Sequence, residues 1–399
     1  MLFSKTVELI EETDLQELVD AQVRESKELD YKESLSVVME SEKKEFVSDV
    51  SSFANASGGY LIYGIKESKE DAGLPVELCG LQLDNPGKLG TTLENIIQTG
   101  LDLRLPASGV HVQAVSLPSK QRWAIVIHIQ KSWVAPHMVK ASGRFFSRKS
   151  SGKYALDVSE LRTAFELLGR TADRIRSFRA DRLSKIVAGE IPLLLGENTP
   201  KLVLHIVPFQ AFDPAVQVDI ASLLSQRQLI EPFMLPEASQ YSADVRYNFD
   251  GLFSWYSQPG TYVQFFRNGS IEAVDTSILG PSRNPKVFSG PLYERRLREA
   301  MKRYVTAQRE LDVEPPLFVM VSLLGVQGYR LKFDSAAITY DDDRIDRPDL
   351  IVSETIIEDF KYDITKVTSP IFDTIANAAG WKYSMVSYDE QGRSSIRSE

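Results

Sequence analysis

The chain has 399 residues, too many for one ordinary domain and enough for two or three, each with its own core. A hydrophobic share of 43% and a charged share of 25% are globular averages that argue against general disorder, while the net charge of −9 excludes a protein basic all over but leaves room for a local basic groove. A single cysteine, Cys79, excludes an intramolecular disulfide and a cysteine-rich zinc site. The early acids Glu8, Glu11 and Glu12 are unlike a signal peptide, and the longest apolar stretch, Pro316 to Val326, falls short of the roughly 20 residues that span a bilayer. A cytoplasmic protein without membrane contact is expected.

A first helix is expected from Thr13, with Thr13 and Gln16 as a capping box and Leu15, Leu18, Val19 and Val23 on one side. Alternation over Leu29 to Glu33 predicts a short strand that projects Asp30 and Lys32 to one face. From Glu42, the spacing of Phe46, Val47, Val50, Phe53 and Ala54 predicts a helix with Lys43, Lys44 and Asp49 toward solvent. Asn55 with Gly58-Gly59 reads as its end at positive φ, before a strand from Tyr60 that leads past Gly64 to Glu67. A charged loop from Ser68 to Gly73, a helix over Lys88 to Thr99, and strands at Val110 to Ser116 and Trp123 to Gln130 follow. His128 reads as a core histidine, and Asp157 with Glu160 caps a further helix.

Between Arg144 and Lys185 stand eleven Lys or Arg against five acids. The Ser150-Ser151-Gly152 loop is flanked by Arg148, Lys149 and Lys153, an arrangement suited to phosphate, although no P-loop order occurs anywhere. In the second half, Lys201 to Phe209 reads as a buried strand, Val216 to Leu224 as a helix, and Tyr262 to Asp275 as a hairpin turning at Asn268-Gly269. A long helix over Pro291 to Leu311 precedes a strand over Pro316 to Leu323. Asp341-Asp342-Asp343 lacks the glycine and glutamate of a calcium loop and reads as a solvated turn, and the residues from Glu390 as a polar tail.

The chemistry concentrates near Asp30. A carboxylate two residues before a lysine on one strand face offers hard oxygen to Mg²⁺ or Mn²⁺ and an ammonium to phosphate, although such a triplet also forms ordinary solvated strand edges. Glu25, five residues earlier, and Glu67, after the next strand, are the acids that could converge on it.

These residues carry a family resemblance. Glu25-Ser26 with Leu29-Asp30-Tyr31-Lys32, then Phe53-Ala54-Asn55-Ala56-Ser57-Gly58-Gly59-Tyr60-Leu61-Ile62-Tyr63-Gly64-Ile65, resembles the AlbA_2 domain of Schlafen proteins and their bacterial relatives. The resemblance runs on through Ser132-Trp133, Pro136-His137, Arg144-Phe145-Phe146 and Arg148 to Gly152-Lys153-Tyr154 and Asp157-Val158, covering roughly residues 10 to 170. In the Schlafen proteins that cleave tRNA and rRNA three acids form the nuclease site, and the matching positions here are Glu25, Asp30 and Glu67. Asp30 stands where the family more often has Glu, and Glu67 where the nucleases have Asp.

The resemblance implies an N-terminal Schlafen-like mixed sheet with helices over 1–170, and the residues after it read as an Arg-rich connecting helix over 171–200 and a separate α+β domain of unassigned role over 201–399, so an α+β chain is expected. The resemblance also bears on activity. It implies a metal-dependent endoribonuclease on structured RNA such as tRNA, with Glu25, Asp30 and Glu67 holding Mg²⁺ or Mn²⁺, Lys32 assisting at the phosphate, and Arg144, Arg148, Lys149 and Lys153 binding nucleic acid. The alternative is a non-catalytic DNA- or RNA-binding regulator, with ATP binding disfavoured by the missing P-loop. Because only one set of motif residues occurs where the nucleases have two facing lobes, a homodimer is expected.

Overall fold

The computed structural model describes residues 7–105, 109–150, 152–196, 199–213, 217–233, 243–257, 260–279, 286–333, 344–389 and 394–396. Ser151, Val216, Asp341-Asp342-Asp343 and Glu390 lie outside the described residues. The chain divides into two compact units, Met1–Arg170 and Thr171–Glu399.

In the first unit, α1 (Glu12–Asp20) is followed by β1 (Leu29–Lys32), α2 (Glu40–Ala54), β2 (Gly58–Tyr63), β3 (Ile65–Glu67), β4 (Pro75–Leu78), α3 (Pro86–Gly100) and β5 (Leu101–Asp102). Next come β6 (Val110–Leu117), β7 (Arg122–Gln130), β8 (Met138–Val139), β9 (Arg144–Lys149) and β10 (Gly152–Ala155). The α4 helix (Val158–Ala188) starts in this unit and ends in the second. The box that caps α1 is Glu11 with Asp14, not Thr13 with Gln16, because the helix is capped two residues earlier than its sequence signature suggests.

The central sheet runs β1-β2-β7-β6, with β1 parallel to β2 and the other pairs antiparallel. Parallel pairing needs a crossover, and α2 supplies it. Side-chain alternation then splits the apolar residues into two cores. Leu29, Tyr31, Tyr60 and Ile62 pack with Leu15 and Leu18 of α1, while Leu61, Tyr63, Ile125 and Ile127 pack with Phe46, Val47, Val50 and Phe53 of α2. Asp30 and Lys32, out of phase with Leu29 and Tyr31, are thereby turned toward the α2 side.

The sharp return from α2 into β2 rests on glycine. Asn55 sits at φ −81°, so the positive φ expected there belongs instead to Gly58 (74°) and Gly59 (143°). A Cβ on Gly59 would stand 2.2 Å from the Glu28 carbonyl oxygen, so only glycine lets the chain before β1 come this close. A second sheet runs β10-β9-β8-β5, and β3 pairs with β4. The segment expected as a phosphate loop between Arg144 and Lys153 is therefore mostly an antiparallel β9–β10 hairpin. Asp157 and Glu160 cap α4 reciprocally, at 2.8 and 3.0 Å, as their spacing predicts.

The second unit is built on a sheet ordered β12-β13-β14-β15-β11-β17-β19, with β20 also on β17. Its members are β11 (Lys201–Pro208), β12 (Asp244–Tyr247), β13 (Gly251–Tyr256), β14 (Thr261–Phe266), β15 (Ile271–Asp275), β17 (Leu317–Leu324), β19 (Leu350–Ile351) and β20 (Thr355–Ile357). The short β16 (Val287–Ser289) pairs with β18 (Arg330–Lys332). Two helices, α5 (Gly290–Glu310) and α6 (Ile364–Ala378), share the larger core with Leu204, Phe265 and Val321, and the end of α4 packs Leu183 and Ile186 with Val203, Tyr262 and Val274. The predicted turn is present, with Gly269 at φ 81°. The helix expected over Val216 to Leu224 is instead a 3-10 stretch, Ile220–Ser225, started by the Asp219 side chain.

Candidate functional site

The acids of the first unit gather where β1 meets the loop between β3 and β4. Glu25 is fixed from both ends: its amide donates to the Gly73 carbonyl at 2.8 Å, and its carboxylate accepts from the Tyr31 amide at 2.6 Å, beside Asp30. Glu67, at the irregular end of β3, accepts from the Gly73 amide at 3.1 Å. One residue, Gly73, thus ties Glu25 and Glu67 to the same point. Gly73 has φ 80°, and a Cβ there would lie 3.2 Å from the Glu25 Cβ, so glycine makes the approach possible. Arg24 forks onto Asp71 and pins the loop further.

Asp30 is 5% exposed and faces two cations. Arg148 of β9 donates from Nη2 to Oδ1 at 2.7 Å, and the Lys32 ammonium lies 2.7 Å from Oδ2 but outside hydrogen-bonding geometry. The Arg148 guanidinium stacks 4.1 Å above the ring of Phe53 and is 4% exposed. On the adjacent turn of α2, Asp49 is also 5% exposed and lies 2.8 Å from Lys153 Nζ, which in turn donates to Glu45 at 2.6 Å. Asp49 was expected in solvent. Instead it lies between the core positions Phe46, Val50 and Phe53, a placing its helical spacing already contained, and it needs a cation from a distant hairpin.

The electrostatics follow this crowding. Burial, together with the negative charge of Asp30 and Glu67, pushes the Glu25 carboxyl up to about 7 against the pull of the Tyr31 amide and Lys32. Burial works against Asp30 as well, but Lys32 and Arg148 outweigh it and hold this carboxyl below its usual range. Asp49 is raised by burial in spite of Lys153, with Asp30 adding to the rise. Lys32 is held charged by Asp30, Asp49 and Glu25, which overcome its own burial.

The cationic residues of the expected nucleic-acid surface divide in two. Arg144 and Lys149 are exposed, Lys149 lying 4.2 Å over the Tyr154 ring, whereas Arg148 and Lys153 are committed to acids. Further along α4, Arg176 pairs with Glu354, Arg179 donates to the Val352 carbonyl and Arg182 forks onto Glu272, so part of that basic run holds the second unit together. Asn55 is a cross-link: its amide nitrogen donates to the carbonyls of His137 and Phe146, and its oxygen accepts from the His137 amide. His128, partly buried against Tyr60, has its pKa lowered to about 4 by burial and by His111.

Residues 25–157, a third of the chain, match the family model for the Schlafen AlbA_2 domain. The first unit carries a Schlafen AlbA_2 domain. Its family points to a nucleic-acid-related function. Among solved structures, the chain is similar to the DIP2311 protein from Corynebacterium diphtheriae at 20% identity and a TM-score of 0.24, too slight a likeness to carry an argument. That match covers 36% of this chain and 27% of the other. No curated protein matches. No helix among the described residues is long and apolar enough to cross a membrane.

The donors of the AlbA_2 domain suit a hard cation in kind, since all are carboxylate oxygens. Among the described residues no three acids, histidines or cysteines stand close enough together to hold a metal ion as placed. Asp30, turned to Lys32 and Arg148, is the acid whose partners must change before it could take part.

Proposed function

We propose that the AlbA_2 domain is a divalent-cation-dependent endoribonuclease in which Glu25, Asp30 and Glu67 supply carboxylate oxygens to Mg²⁺ or Mn²⁺. The observation that carries this reading is the fastening of Glu25 and Glu67 to one glycine and of Glu25 to the amide beside Asp30, which brings Glu25 within electrostatic reach of both other acids. Like charges are gathered at a cost, and a cation relieves it. A bound ion would polarise a phosphoryl oxygen and make water a better nucleophile. The chain's own part is to hold the carboxylates and to set the Lys32 ammonium, on the same strand face, toward the phosphate. Exposed Arg144 and Lys149 offer the approaching strand its first contacts.

Structured RNA such as tRNA is the proposed substrate and a homodimer the proposed assembly, both on the strength of the family. Purified chain incubated with total tRNA should cut it in the presence of Mn²⁺ and leave it intact with chelator, and Glu25→Gln, Asp30→Asn and Glu67→Gln should each abolish cutting. Equal cleavage by parent and variants rejects the assignment. Light scattering tests the dimer, a mass near the 44.8 kDa of one chain under active conditions ruling it out.

A second reading, a nucleic-acid-binding module without cleavage, is favoured by the closure of Asp30 by Lys32 and Arg148. Salt-dependent RNA binding with no Mn²⁺-dependent cutting would select it.

A further inference from the structure

In the β9–β10 hairpin, Arg148 and Lys153 stand directly opposite each other across the two strands. Facing them are two acids from different elements, Asp30 on β1 and Asp49 on α2, which lie close enough to repel. Two cations side by side are thus docked on two anions side by side. The docking is incomplete on the arginine side. Arg148 makes one hydrogen bond among the described residues, to Asp30, and its buried Nε has no acceptor. A guanidinium is a five-donor fork shaped for two oxygens of one group, and Asp30 takes only one of its N–H groups.

We infer that this hairpin is a phosphate-operated latch on the acid corner: a nucleic-acid phosphate draws Arg148 and Lys153 away from Asp30 and Asp49, and the released Asp30 becomes available to a divalent cation. A phosphate can accept from both arms of the Arg148 fork, which Asp30 does not. Asp49 is then a positioning residue, holding Lys153 and through it the hairpin, and touching neither cation nor substrate. The latch makes nucleic-acid binding and cation binding support each other, because each favours the arrangement in which Asp30 is free of Arg148. The inference rests on the reading of Glu25, Asp30 and Glu67 as a cation site.

The test is calorimetric titration of the full chain with Mn²⁺, alone and with a short RNA duplex carrying non-cleavable 2′-O-methyl riboses. The latch predicts that the duplex tightens Mn²⁺ binding by about tenfold and that saturating Mn²⁺ tightens duplex binding by the same factor. Asp49→Asn and, independently, Lys153→Gln should strengthen Mn²⁺ binding in the absence of RNA and shrink the ratio to less than about threefold. A cation that merely bridged RNA to the carboxylates would leave that ratio unchanged in both variants, since neither residue is a proposed ligand, and that result overturns the latch. Equal Mn²⁺ affinity with and without duplex in the parent chain also overturns it while leaving the cation site standing. Absence of Mn²⁺ binding under either condition sinks the cation site and the latch together.

Discussion

Glu272 in the second unit and Asp30 in the first are both buried carboxylates facing an arginine, and they are served very differently. Glu272 accepts from Arg182 Nε and Nη2 at 2.8 Å each and from Tyr262 at 2.8 Å, and lies 3.0 Å from His205 Nε2. Burial pushes its carboxyl up, but Arg182 and His205 win and bring it down to about 2. Asp30 shares its surroundings with Glu25 and Asp49, its arginine is half used, and its lysine is out of line. An acid surrounded only by donors is a structural tie, while acids crowded together and shared among too few donors are the marks of a place where a ligand can alter the pairing.

The comparison is broken most forcefully at Glu272. Glu272→Ala should cost the second unit about 3–5 kcal/mol in denaturant unfolding, because Arg182 is left buried without a partner. A loss below about 1 kcal/mol would show that this tie is not needed.

Next in size is a pH effect within the same unit. Glu294, buried on α5 and accepting from Ser384 and Tyr388, has its carboxyl raised to about 7, chiefly by burial. A raised acid favours the folded state while protonated, so its contribution is full below the ordinary value of 4.5 and is lost as pH climbs to about 7. Across that window the loss is ~3 kcal/mol, and Glu294→Gln should flatten the pH dependence of the unfolding midpoint there. Glu272 has the opposite sign, its contribution fading as pH falls from 4.5 toward 2.

Smaller effects belong to the acid corner. Asp30→Ala strands the Arg148 guanidinium and should cost about 2 kcal/mol. Asp30→Asn keeps an acceptor for the guanidinium and should cost less than Asp30→Ala while removing any cation-dependent cleavage. Asp30→Asn is therefore the cleaner probe, and a large stability loss in it would recast Asp30 as another Glu272. Smallest is Glu25→Gln, which retains an oxygen for the Tyr31 amide and removes a crowded charge, so its unfolding midpoint should stay level or rise slightly. A clear drop there would mean that Glu25 is a structural tie too.

Much of this was legible in local spacing. Alternation put Asp30 and Lys32 on one face, Asn268-Gly269 marked a turn, and Asp157 with Glu160 marked a helix start, since each depends on residues a few positions apart. What escaped depends on distant partners. Arg148 and Lys153 read as free phosphate ligands because the acids that hold them come more than 100 residues earlier in the chain. Arg182 read as part of a basic surface for the same reason, its partner Glu272 lying 90 residues away. Asp49 reads as exposed because a charged side chain is ordinarily solvated, although its helical place lies between Phe46, Val50 and Phe53. Glu25 and Glu67 could be suspected of meeting, but not through Gly73, which gave no signal beyond a loop.

The separation of Asp30 from Arg148 also sets an order of events at birth. The two are 118 residues apart, about 6–24 s of ribosome time at ordinary elongation rates. β1, α2 and β2 are contiguous in the chain and emerge well before β9. Through that interval the nascent β1 has Lys32, two residues along, to neutralise Asp30, and Asp49 waits nearly as long for Lys153. The half-made domain therefore leaves the ribosome more anionic at this corner than the finished one, and the arrival of the hairpin strands, late in translation, is the step that discharges it.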